Sequence, residues 1–154
     1  MTVPSALHRP SGIPPSRRAA ARAAVALARL LAFLPPGRVR TVLAVVRAGA
    51  RPATYEQARA ARETVTGVSL ACLGPRGCLP RSLATALLCR LGGAWPTWCV
   101  GARTLPPFGA HAWVEAEGRL VEENVPDGYL APLMTVPPRT PRRDRRRDAG
   151  RHDR

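Results

Sequence analysis

The chain contains no lysine, and all 24 of its basic residues are arginine. Together with abundant Ala and Pro, that bias marks a GC-rich coding sequence and weakens what any one arginine says about function. Aromatic residues make up 5% of the 154 positions. Surfaces that stack bases interleave aromatics with cations, and the region between the tails offers none. The core must therefore be filled by Leu, Val and Ala. No apolar run reaches the ~18 uninterrupted residues of a membrane span. The opening "PSRRAAARAAVALARLLAFLPPG" has the outline of a signal peptide, but Arg22 and Arg29 interrupt it and no small-x-small cleavage site follows cleanly. A cytoplasmic chain with reduced thiols and no membrane partner is expected. Histidine occurs only at 8, 111 and 152. The cysteines at 72, 78, 89 and 99 fit no zinc spacing, and no paired histidines complete a set. No metal and no cofactor are expected. In a secreted chain the same four cysteines would suit a disulfide framework.

The net charge of +14 is uneven. Residues 139–154 hold eight Arg and three Asp, and residues 1–22 hold four Arg and no acid. Such tails can meet nucleic acid or an acidic partner, but their composition equally describes solvated, disordered ends. Disorder is expected for 1–16 and for 137–154. Between them the pattern is helical first. Ser16 is placed to cap a helix that Pro35, Pro36 and Gly37 stop, a second helix covers about 38–48, and Thr54 caps a third. "CLPRSLATALLCRL" (78–91) reads as the strongest helix, because Pro80 is tolerated only in a first turn and so pins the start near Cys78. Then the period changes. "WPTWCVGART" (95–104) reads as a strand and "HAWVEAEGRLVEE" (111–123) as a hairpin. Beyond Pro126 the pattern dissolves. Helices followed by a hairpin-built sheet give an α+β fold.

The chemistry centres on Cys78. A helix N-terminus carries partial positive charge and free N–H groups, which favour a thiolate and suit an oxyanion. Arg76 and Arg81 push the same way. The bland alternative is a buried structural thiol. A nucleophilic thiol needs a base, and His111 is the only histidine between the tails. The third group, which orients the imidazole, is open among Glu122, Glu123 and Asn124. A two-residue loop at 117–118 puts Glu122 and Asn124 on the His111 face, and a three-residue loop at 117–119 puts Glu123 there. Gly118 permits either.

The words "GCLPRSLATALLCRLGG", "WPTWCVGAR" and "PFGAHAWVEAEGRLVEE" resemble the transglutaminase-like leader peptidases of lasso-peptide biosynthesis, the B-protein family. The resemblance covers about 70–124, extends more loosely back to about 20, and leaves out the tail beyond about 135. It implies a transglutaminase-like (papain-like) core, with the nucleophile at a helix N-terminus packed on an antiparallel sheet and helices in front. It implies Cys78 as nucleophile and His111 as base. Its third position, an acid twelve residues after the histidine and often Asp, falls here on Glu123 and favours the three-residue loop.

The same resemblance implies a cysteine peptidase that removes the leader from a ribosomally made precursor peptide before a separate ATP-dependent macrolactam cyclase acts. Some members carry a winged-helix-like leader-recognition domain, and in others it is a separate protein. The helices before Cys78 suggest the split form. The expected organisation is a helical segment 17–65 that docks the separate leader-recognition protein, followed by a catalytic core at 66–136. The alternatives are transglutaminase- or amidase-type acyl transfer with the same Cys78–His111 pair, or a non-catalytic scaffold or nucleic-acid-binding protein using the arginine tails.

Overall fold

A computed structural model describes residues 12–139. The expectations for 1–11 and 140–154, including the arginine tail, lie outside the described residues. Helices α1 (Pro15–Leu31), α2 (Pro36–Val46), α3 (Tyr55–Val68) and α4 (Cys78–Leu91) come first, with a 3-10 turn at Leu70–Cys72. Strands β1 (Arg51–Pro52) and β2 (Ala94–Trp95) form a small parallel pair. Strands β3 (Thr97–Arg103), β4 (Ala110–Ala116), β5 (Arg119–Leu120) and β6 (Leu130–Val136) form an antiparallel sheet in the order β5-β4-β3-β6.

Prolines start helices here as well as stop them. Pro15 opens α1, and no side chain caps it, so Ser16 lies inside the helix rather than at its cap. Pro36, expected as a stop, occupies the first turn of α2, where its missing N–H has no helical partner to lose. Thr54 does cap α3. Its hydroxyl accepts from the Gln57 N–H at 3.2 Å, and the Gln57 side chain accepts from the Thr54 N–H at 3.1 Å, a capping box.

Helix α4 is the centre of the molecule. Residues 82–89 are all buried, because α1 and α3 pack on it from one side and β4 from the other. Ala21, Ala24 and Ala28 of α1 and Ala58 and Ala61 of α3 face this core. Their small side chains let the helices approach closely, so a chain poor in aromatics still closes its interior. The buried tryptophans each find a polar partner, as an indole N–H must. Trp98 of β3 donates to Ser82 Oγ at 3.1 Å, and Ser82 donates to the Leu79 carbonyl at 2.9 Å. This chain of bonds ties the first turn of α4 to the sheet.

The sequence pattern missed β6. Pro132 and its neighbours read as loop, yet the strand pairs with β3 along 130–136. A proline can enter a strand at a sheet edge, and β6 is an edge. The ladder shifts between Val100 and Gly101, which sits opposite Pro132. A Cβ on Gly101 would lie 1.9 Å from the Ala131 carbonyl oxygen, so only glycine admits this crossing.

Candidate active site

The segment before α4 folds back on the 3-10 turn. Gly77 is pressed so closely there that a Cβ would lie 2.5 Å from the Ala71 oxygen and 2.8 Å from Cys72 backbone atoms. Cys78 is thereby set as the first residue of α4, half-buried, with Gly77 as the N-cap and no side chain capping the turn. From α4, Arg81 reaches back to the Cys72 carbonyl at 3.0 Å and fixes the approach.

His111 lies on β4, buried, opposite Gly101. Its ring runs nearly parallel to that of Trp113, with centroids 6.1 Å apart and planes at 16°. Nε2 lies 3.0 Å from Glu123 Oε2. Nδ1 is buried and completes no hydrogen bond. The Cys78 thiol is nonetheless its neighbour. The thiol–imidazole contact is the leading cause of the thiol's lowered pKa; burial opposes it, and the Ala112 backbone, the His111 charge and Arg81 add to it. Arg76, exposed, has no part in this shift. Cys78 and His111 thus influence each other without a completed hydrogen bond at Nδ1.

The path by which Glu123 reaches His111 corrects the expected hairpin. The loop has two residues, with Ala116 opposite Arg119 and Glu115 opposite Leu120. Glu117 (φ 53°) and Gly118 (φ 71°) both take the left-handed region that a type I′ turn requires. That register alone would place Glu122 and Asn124 on the His111 face. The ladder stops, however, after the Val121 N–H bonds the Val114 carbonyl. Glu122 then takes φ 53°, a left-handed backbone in a non-glycine residue. This left-handed residue bends the chain out of the strand and turns Glu123 inward. Glu122 instead pairs with Arg59 of α3 at 3.1 Å near the surface, and Asn124 is exposed.

Glu123 is enclosed. Burial pushes its carboxyl up, but the His111 hydrogen bond and the charges of Arg62, His111 and Arg81 outweigh that and hold it below its ordinary value. Arg62 of α3 approaches Oε1 at 3.3 Å and Arg81 at 3.8 Å. His111 is pushed up to about 9, first by the thiol and then by Glu123. A lowered thiol beside a raised imidazole favours transfer of the thiol proton to the ring.

The other thiols differ. All four cysteines are free, so the disulfide framework is not formed. Burial pushes Cys89 and Cys99 up to about 12. A cavity of about 430 Å³ lies at the far end of α4, beside Cys89, Leu91 and Arg17, away from Cys78. The cluster of titratable groups marks the site, and the cavity does not. Among the described residues no helix is long and apolar enough to cross a membrane.

The sequence reading missed Arg62. Its only signal was its place on α3, one turn from Arg59, and the tertiary path of the strand end decides what such a residue meets.

A family model described as "Transglutaminase-like superfamily" matches residues 9–135. No curated protein and no solved structure matches the chain.

Proposed function

Because the chain belongs to the transglutaminase-like superfamily, whose chemistry is that of cysteine peptidases and acyltransferases, we propose that it is a cysteine peptidase that removes the leader from a ribosomally made lasso-peptide precursor. A separate ATP-dependent cyclase would then close the macrolactam on the new N-terminus. The observation that carries the catalytic part is the alignment of Cys78, His111 and Glu123, with Glu123 Oε2 at 3.0 Å from Nε2 and Nδ1 left for the thiol. The resemblance of the segments around Cys78 and His111 supports the leader-peptidase part.

In this reading Glu123 accepts the Nε2–H bond and fixes the ring, which leaves Nδ1 as the proton carrier. The Cys78 thiolate attacks the carbonyl at the leader–core junction and forms a C–S bond. The carbonyl oxygen takes negative charge against the free N–H groups of the first turn of α4, the Cys78 N–H among them. The imidazolium gives its Nδ1 proton to the departing amine as the C–N bond breaks. Water then attacks the thioester while His111 takes its proton, and the C–S bond breaks to restore the Cys78 thiolate beside the His111 imidazolium. Helix α1, the turn that follows it and α2 expose Leu27, Leu30, Phe33 and Val45, apolar side chains suited to docking a separate leader-binding protein.

The test combines the purified chain with a leader-binding protein and a lasso-peptide precursor, and follows peptide mass. Separate leader and core fragments, absent with Cys78→Ala, support the reading. A product heavier by an added amine would make the chain an acyltransferase with the same triad. An intact precursor with the wild-type chain would sink both.

A further inference from the structure

The two oxygens of Glu123 are divided between different elements. Oε2 faces His111 of β4 at 3.0 Å. Oε1 faces Arg62 of α3 at 3.3 Å and Arg81 of α4 at 3.8 Å. Glu122, next in the chain, is turned toward Arg59 and acts on Arg62 only through space. These are the charged groups around the carboxylate, with Cys78 standing beyond the imidazole.

The left-handed turn at Glu122 carries Glu123 inward, but no strand pairing fixes its side chain. The strand ladder ends at Val121, and the residue follows a left-handed turn at Glu122. A glutamate also has three side-chain torsions to restrict. Something other than the sheet must select the rotamer that meets Nε2. The space between Arg62, Arg81, Ser82, Thr85 and Glu123 is too tight for a water molecule, so solvent does not take that part. Arg81 is already committed to the Cys72 carbonyl and stands farther off. Arg62 is closer, its side chain is 18% exposed, and burial works against its charge. Ion pairs that lose so much hydration are poor sources of stability, which makes a positional role the more economical account.

Resting on the triad reading, we propose that Arg62 is a positioning residue: its guanidinium holds Glu123 Oε1 so that Oε2 stays on His111 and Nδ1 stays aimed at Cys78. Helix α3 is then part of the machinery as well as a cover for the core. Its two arginines one turn apart hold two consecutive glutamates that point different ways.

The experiment measures the pH dependence of Cys78 alkylation by iodoacetamide in Arg62→Gln, Arg62→Lys and Arg59→Gln, read on the Cys78 peptide by mass. Arg62→Gln should move the acid limb upward by about one pH unit, a roughly tenfold loss of alkylation below the limb. Arg62→Lys, which keeps the charge without the planar fork, should fall between Arg62→Gln and wild type. Arg59→Gln, which loses contacts to Glu56, Glu63 and Glu122 but none to Glu123 or His111, should match wild type. With precursor and leader-binding protein, kcat should fall about tenfold in Arg62→Gln with KM unchanged, the mark of a group acting only on the reacting state. An unmoved limb in Arg62→Gln overturns the proposal. If that variant does not fold, a wild-type limb in Arg62→Lys overturns it and an intermediate limb supports it. The alkylation measurement needs no precursor. A wild-type chain that leaves the precursor intact therefore defeats the leader-peptidase reading without deciding the role of Arg62.

Discussion

Glu122 and Glu123 are neighbours in the chain whose carboxylates serve different partners: Glu122 meets Arg59 near the surface, and Glu123 meets His111 inside. The left-handed backbone of Glu122 produces the division.

Their substitutions should accordingly behave differently. Glu123→Gln leaves Arg62 and Arg81 buried without a counter-charge, and a broken buried pair costs on the order of 3 kcal/mol. It also deprives His111 of one of the two contacts that raise it, so the alkaline limb of turnover should move below its wild-type position. Glu122→Gln breaks an exposed pair and should cost less than about 1 kcal/mol. Urea unfolding of the two variants checks the contrast. Equal losses would contradict the assignment of Glu123 to the inner site.

The pH profile of Cys78 follows from two shifts of opposite sense. The thiol is lowered from its ordinary 9.0, so its alkylation should set in at a lower pH than that of an ordinary thiol and fade as pH drops through the lowered value. Cys89 and Cys99, at about 12, should stay unlabelled in the same sample. His111, raised from 6.5 to about 9, should lose its proton as pH rises through about 9, and turnover should fall there as proton donation to the leaving amine is lost. Its contribution to stability has the same sense, complete below pH 6.5 and lost as pH rises through about 9. In His111→Ala the Cys78 acid limb should move up toward 9.0, and mass spectrometry of the labelled peptides reads both results.

Gly77→Ala should lower thermal stability, because its Cβ would meet backbone atoms of Ala71 and Cys72 that cannot rotate away. Overpacking of this kind costs roughly 1–3 kcal/mol. The shift it forces lies one residue from the nucleophile, so alkylation of Cys78 should slow as well. A thermal melt and a labelling rate on the same preparation test the pair of effects.

Thr54→Ala removes the hydroxyl of the α3 capping box and should cost about 1 kcal/mol. Because α3 carries Arg62 well beyond that first turn, the Cys78 pH profile should remain that of the wild type. A moved profile would mean that fraying at the start of α3 reaches the triad.

Much of this arrangement was open to reading from the residues. Pro80 fixed where α4 begins, and Thr54 announced α3. These are local signals, written in residues that restrict their own backbone. Cys78 and His111 stood out because each was placed at an element's start. What could not be read depends on distant contacts. Strand β6 exists because β3 accepts Pro132 beside Gly101. The hairpin register and the inward turn of Glu123 pull in opposite senses, and only the left-handed Glu122 reconciles them. Resemblance pointed to an acid at 123, and Glu123 contacts His111, while the three-residue loop inferred from it is replaced by a two-residue turn and a left-handed Glu122.

The uncapped start of α4 has a consequence for how this helix can evolve. A serine or aspartate in place of Gly77 would accept from the Leu79 N–H, since Pro80 has none, and favour the helix in isolation. It would also set a competing oxygen beside the donors on which a developing negative oxygen depends, and the Ala71 carbonyl leaves it no room. Tight packing and an open helix end thus select against the same side chains at the same position. The reactive end of α4 is therefore protected from drifting toward a more stable but silent form by the steric demands of the turn beneath it.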